Sequence, residues 1–351
     1  MKGEVQLNKW ILRIGLIFVL LLSGCKNDEA TGKAKGETEG TQQNGEQALN
    51  YIAPFTGLAV EEPVTTRPII VTINNHPKAR PQSGIASADV VYELLVEGNA
   101  TRYAALFQSE LPKNIGPVRS ARTYLINIAK GLDAFYIAHG YSPEAYSMIK
   151  SGVVDQINGM QYDGTYFKRT KDRVAPHNSY ISAENLTAAV EKLNISLQIS
   201  KKVGYTFDEP QDSVKIGNKA NAIEMNISSN SSYSSFYTYD KKTKKYLKSS
   251  LSEPTIDALT GEQIAISNVL FFEAPHRVID SEGRLEINLN DGGKAYVFQQ
   301  GGMREVQWEN ADGLLVAIEH DGSEVKLTPG KTWVQIVPSS PGLATSVLYS
   351  E

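Results

Sequence analysis

The chain has one cysteine, Cys25, in 351 residues. No disulfide can form within a single copy, so packing and hydrogen bonding must hold the fold together. The surroundings of that cysteine point to a compartment. Lys2, Lys9 and Arg13 make a basic leader, and Ile14–Leu22 is an apolar run broken only by Gly15. The run is too short to span a bilayer. Leu22-Ser23-Gly24-Cys25 follows, with the residue types of a bacterial lipobox: an aliphatic side chain, two small ones, and a thiol able to carry diacylglycerol. The expectation is a signal peptide over 1–24 and a lipid on Cys25. Two or three acyl chains anchor stably where one is marginal. Lys26 lacks the signal that retains such proteins at an inner membrane. The chain is expected at the cell membrane, facing outside the cytoplasm, which argues against chemistry dependent on cytosolic ATP or NAD.

Residues 26–50 hold almost no large apolar side chains. Such a stretch cannot bury enough surface to order itself. It reads as a flexible tether with a reach on the order of 25–30 Å. The chain as a whole is 41% hydrophobic, ordinary for a protein with a real core, and its length fits two domains. Net charge is −4; without residues 1–24, which carry three basic side chains against Glu4, it is −6. That sign lacks the basic footprint nucleic acid requires, so any anion site must be local.

Strand and helix signals divide the remainder. Arg67–Ile73 is β-branched after Pro68 and ends in the turn residues Asn74-Asn75-His76-Pro77. Ala88–Glu97 alternates as a longer strand, Gly98-Asn99 turns, and Thr101–Phe107 returns. A two-residue turn sets Arg102 opposite Leu95, diagonally between Glu93 and Glu97. Helical spacing covers Ala121–Leu132 and a short buried strand covers 134–138. Ser142 and Ser182 read as N-caps of two further helices. Beyond residue 200, short strands recur at about ten-residue spacing, Tyr205-Thr206-Phe207 among them. The fold class expected is α+β: a mixed α/β domain over 51–198, then a β-rich domain over 199–351, after the signal peptide and a tether over 25–50.

Ala79-Arg80-Pro81-Gln82-Ser83-Gly84, Ala88–Glu93, Gly116–Arg122 and Ala175-Pro176-His177-Asn178 resemble the YerB-like lipoproteins, a bacterial family with no firmly assigned activity. Pro329-Gly330-Lys331-Thr332-Trp333 is similar to that family's second domain. The resemblance spans about residues 51–340. It implies two domains, mixed α/β and then β-rich, and implies no mechanism.

Three loops carry the polar chemistry. Gly116–Arg122 reads as a Gly-Pro turn running into a helix near Ala121, with Ser120 as N-cap. Free N–H groups, the positive end of the macrodipole and the guanidinium forks of Arg119 and Arg122 would meet there. That suits a phosphate, a carboxylate or a phosphodiester; the competing reading pairs both arginines with Glu93 and Glu97. His139 follows a buried strand, where ligands sit in α/β domains, and is a candidate acid/base. Ser142 is a nucleophile or simply a helix cap. In the third loop, Arg173, His177 and Asn178 bind a ligand, orient a catalytic group, or only tie the loop down. Asn75, His76 and Arg80 end the first strand and can line the same rim. The catalytic candidates are therefore His139, His177 and Glu93. The ligand-binding candidates are Arg119, Ser120, Arg122, Arg102, Arg173, Asn178, Asn75 and Arg80.

No histidine spacing matches a metal motif, and neither a metal nor a cofactor is expected; a hard-cation site at Asp89, Glu93 and Glu97 is a weaker alternative. Glu93 and Glu97 would lie about 13–14 Å apart along a strand, beyond the ~5–9.5 Å a glycosidase pair needs. Trp308, Trp333, Tyr237 and Tyr239 read as strand packing or as a carbohydrate platform. The function expected is binding of an anionic cell-wall or phosphate-bearing envelope ligand, or of an envelope protein. The alternative is an envelope hydrolase or transferase acting on a phosphodiester or glycan.

Overall fold

The computed structural model describes residues 51–209 and 216–351. The signal-peptide, tether and Cys25 readings fall outside them. No helix among the described residues is long and apolar enough to cross a membrane.

Ile69–Asn74 (β1), Val90–Leu95 (β2) and Thr101–Phe107 (β3) are buried along their whole length. β3 pairs antiparallel with both β1 and β2. Helix Thr123–Gly131 (α1) leads into Phe135–Ala138 (β4), and helix Pro143–Lys150 (α2) leads into Gln156–Asn158 (β5). β4 runs parallel to β1, and β5 parallel to β4. Strands covered on both faces read as near-continuous apolar runs, which is what β1 and β4 are. The carboxyl ends of β1, β4 and β5 therefore open on one side. Ser179–Ser182 (β6) precedes helix Ala183–Lys192 (α3), where Ser182 Oγ accepts from Asn185 N at 3.1 Å as the cap expected of it.

The second half supplies Ala222–Met225 (β7), Ser235–Asp240 (β8), Lys245–Ser250 (β9), Asn268–Ala274 (β10), Gly293–Gln299 (β11), Gly302–Ala311 (β12), Leu314–Ile318 (β13), Thr332–Pro338 (β14) and Val347–Ser350 (β15). β14 pairs in parallel with β10 on one side and β2 on the other, setting Trp333 opposite Val91 and Gln335 opposite Glu93. One eleven-stranded sheet thus takes strands from both halves: the two-residue edge strand Asn218–Lys219, then β12-β11-β10-β14-β2-β3-β1-β4-β5, with β13 pairing on β12 off this path. β9, β8, β7 and β15 form the body of a second, six-stranded sheet. It packs over the large sheet through contacts such as Tyr237 on Phe271, at 6.1 Å between ring centroids.

Two expectations fail locally. Tyr205-Thr206-Phe207 makes only an isolated bridge from Phe207 to Leu327. Tyr205 is drawn inward instead, with its hydroxyl 3.1 Å from that of Tyr92 and donating to Leu315 O. The β2–β3 turn is also longer than two residues: Val96 N donates to Ala100 O at 2.9 Å and Ala100 N to Glu97 O at 3.2 Å. Arg102 then lies opposite Leu94, not Leu95. A slip of one residue changes which face a side chain takes. Glu93 points toward the second sheet, and Arg102 toward the start of α1.

Candidate functional site

Glu93 does not reach the rim. It is fully buried between the two sheets. Asn75 Nδ2 (3.1 Å) and Thr101 Oγ1 (3.0 Å) donate to one carboxylate oxygen, and Trp333 Nε1 (3.1 Å) donates to the other. The ammonium of Lys248, equally buried, lies 3.6 Å away, donates to Ser235 Oγ, and sits 4.8 and 4.9 Å from the rings of Tyr237 and Trp333. Burial lowers the Lys248 pKa to about 8 despite the nearby carboxylate. Asn75 is part of this core: its Oδ1 accepts from Tyr103, Arg80 and Gln82. Sequence reasoning missed Lys248. The available signal was its two-residue spacing from Tyr246 on β9, which puts a lysine on the core face.

The arginines divide. Glu97, at the start of the β2–β3 turn, receives Arg102 Nη2 on one oxygen and Arg122 Nη2 on the other, both at 2.5 Å. Burial alone would raise the Glu97 pKa, but the two guanidinium groups outweigh it and hold the carboxyl low. Arg102 also donates to Ser120 O at 2.8 Å. Ser120 is not the N-cap of α1: the cap position falls on Arg122, with no side-chain cap bond, while Ser120 Oγ donates to His139 O. The stretch before α1 is extended rather than a turn, because its amides are already taken. Val118 N donates to Ser179 O, Arg119 N to Thr72 O and Ala121 N to Gly140 O. Gly116 is required there, since a Cβ would stand 2.8 Å from Ser179 O.

Arg119 is carried by this segment to the carboxyl ends of β1 and β4. It is half-buried. Among the described residues its guanidinium has neither a carboxylate partner nor a hydrogen bond, and its Nε is buried without a partner. His76 and His177 stack nearby, with centroids 4.6 Å apart and planes at 28°. Their tautomers follow from their partners. His76 N donates to Asn74 Oδ1, so Asn74 Nδ2 is the donor to His177 Nδ1 at 2.9 Å. Lys78 N donates to His76 Nδ1 at 3.1 Å. Each neutral ring therefore keeps its proton on Nε2, and neither Nε2 has a protein partner among the described residues. Burial lowers both histidine pKa values, and neighbouring charges, Arg119 among them, lower them further.

The other candidates hold the loops. His139 is boxed in. Arg169 Nη2 donates to its Nε2 at 3.2 Å, so its Nδ1 carries the proton toward Ser179 Oγ at 2.7 Å. Burial, then Arg169, lowers its pKa. Arg173 donates to Ala79 O and Pro81 O, tying its loop to the one after β1. Asn178 is saturated, accepting from Arg169 and donating to Thr170 O and Arg173 O. Arg80 donates to Asn75 and lies 5.7 Å from the Tyr233 ring, with no carboxylate partner among the described residues. Ser142 is a cap, accepting from Ala145 N at 3.2 Å. Trp308, Trp333 and Tyr237 are core residues, and half-buried Tyr239 packs on Tyr246. The described residues hold no group of three His, Cys, Asp or Glu placed to bind a metal.

Comparison with known proteins accounts for the motifs that build this arrangement. Residues 55–196 match the N-terminal domain, and 223–334 the C-terminal domain, of the protein family of unknown function DUF3048. The chain is 38% identical over 335 residues to the "Putative lipoprotein YerB" of Bacillus subtilis (strain 168), covering 95% of this chain and 96% of that protein. The chain belongs to this family. The crystal structure of B. subtilis YerB superposes with a TM-score of 0.78, covering 86% of this chain and 99% of that one. The DUF3048 N-terminal region contains Arg119, the two stacked histidines and Glu93. The C-terminal region supplies Lys248 and Trp333, the partners that keep Glu93 in the core.

Proposed function

We propose that this DUF3048 protein binds an anionic group of the cell envelope at the carboxyl ends of β1, β4 and β5. We further propose that it does so outside the cytoplasm, held to the membrane by a lipid on Cys25. The observation that carries the reading is Arg119. A half-buried guanidinium without a carboxylate has given up part of its hydration for nothing within the protein. An anion would restore that loss and accept from the Nε2–H groups of His76 and His177. Guanidinium and phosphate or carboxylate match in geometry as well as charge, and the ends of parallel strands are where α/β sheets collect ligands. The anchor reading rests on the lipobox at Leu22–Cys25 and on the relative's name.

Binding is favoured over hydrolysis by the histidine tautomers. Both His139 nitrogens are engaged, and the basic nitrogens of His76 and His177 already accept hydrogen bonds. No candidate histidine offers a free base. The test is calorimetric titration of the purified chain with inorganic phosphate and glycerol 3-phosphate. Arg119→Ala is expected to abolish binding while leaving unfolding stability within about 0.5 kcal/mol. Arg122→Ala is expected to cost about 1–3 kcal/mol of stability through the lost Glu97 pair. Undiminished binding by Arg119→Ala would refute the assignment.

A further inference from the structure

Several inner tyrosines of this protein spend their hydroxyls. Tyr103 donates to Asn75, Tyr124 to Leu95 O, and Tyr136 pairs with Thr72. Four tyrosines at the carboxyl ends of β4 and β5 differ. Tyr141 and Tyr146 pack at 4.7 Å between centroids, tilted by 30°, and Tyr162 and Tyr166 at 5.3 Å, tilted by 46°. Their rings are half-buried or, for Tyr146, 43% exposed. None of the four hydroxyls has a hydrogen-bond partner among the described residues.

Both pairs lie on segments tied to those that carry the anion rim. Tyr141 stands opposite Ala121 on the short parallel ladder that also joins Arg119 O to His139 N at 2.9 Å. Tyr162 precedes Asp163, whose carboxylate accepts from Arg169 Nε at 2.7 Å and lies 3.9 Å from His139 Nε2. One exposed ring, Tyr146, and three half-buried rings that pack on the core, all with free hydroxyls, beside a cation lacking an anion, describe a surface for a molecule that is flat and hydroxyl-rich in one part and charged in another. An exposed tyrosine supplies rigid amphipathic contact area at small entropic cost. A lipid headgroup would use the cation and leave these rings idle.

We infer that the site takes an anionic glycan, with the charged substituent on Arg119 and a sugar ring against Tyr141 and Tyr146. This rests on the anion-binding reading above. The test is calorimetric titration of the full chain with inorganic phosphate, N-acetylglucosamine, N-acetylglucosamine 6-phosphate and phosphatidylglycerol vesicles. The sugar phosphate is expected to bind at least about tenfold tighter than inorganic phosphate, the increment of one aromatic contact. Tyr146→Ala should bring it to the level of inorganic phosphate without changing phosphate binding, and Tyr146→Phe should keep most of the gain. Equal affinity for phosphate and sugar phosphate, lost together in Arg119→Ala, would overturn the glycan and leave the anion site standing. Binding to vesicles with no preference for the sugar phosphate would overturn it in favour of a lipid headgroup. No binding of any phosphate probe would overturn both readings.

Discussion

At the scale of single residues, the same chemistry serves opposite ends. Glu93 and Glu97 sit one helical turn's worth of sequence apart, and both are paired with cations. Glu93 is sealed among Asn75, Thr101, Trp333 and Lys248; Glu97 closes the rim with Arg102 and Arg122. Removing one partner of a buried pair leaves an uncompensated charge, so Lys248→Met alone is expected to cost about 3–5 kcal/mol in urea unfolding. Lys248→Met combined with Glu93→Gln should cost less than the two singles together, and additive losses would show that the pair is uncoupled. With the Lys248 pKa lowered to about 8 from 10.5, the unfolded chain holds more protons between those values, so stability from this group rises across that window. The histidines obey the same sign. His76, His139 and His177 lie below the ordinary 6.5. Below that pH the unfolded chain takes up protons the folded chain refuses, and stability falls as the medium turns acid. Proton NMR titration should place all three midpoints under 6.5; a midpoint at or above it for His177 would contradict its partial burial beside His76 and Arg119.

Single elements were largely legible, and of their pairings only the β2–β3 hairpin was, with its register one residue off. Periodicity and punctuation located β1 to within two residues, β3 to the residue, and the helices capped by Ser142 and Ser182, because these signals act over a few neighbours. The α1 start and the β2–β3 turn were misjudged for one shared reason. Each depends on backbone groups satisfied from elsewhere: Gly140 O and Thr72 O accept from the stretch before α1, and Gly283 O accepts from Gly98 N in the longer turn that brings Glu97 to two arginines. The candidate site divides along the same line. Its residues could be picked as polar loops, but which arginine stays free is decided by where Glu97 lands. The His76–His177 stack depends on two loops that only the fold brings together.

The whole molecule is joined by β14. The two family regions are separate in sequence, yet β14, which begins at the end of the second and runs past it, fills the gap between β10 and β2. Residues 51–198 made alone would leave the β2 edge open and Glu93 buried without Trp333 or Lys248. That fragment is expected to lack near-ultraviolet dichroism and to aggregate, and a dispersed, cooperative spectrum from it would show the first region to be self-sufficient. Intact, the two regions should unfold in one transition, with tryptophan fluorescence and far-ultraviolet dichroism coincident.

The placement of β14 also sets an order of events in time. A chain threaded out N-terminus first, through a ribosome or across a membrane, delivers β2 long before Thr332 follows. Until then the middle of its main sheet is a vacant slot with unpaired backbone on either side. The long-range pairing that closes it is slow by nature. Such a protein stays unfinished, and so still threadable, for nearly the whole of its passage, then completes its core with one late strand.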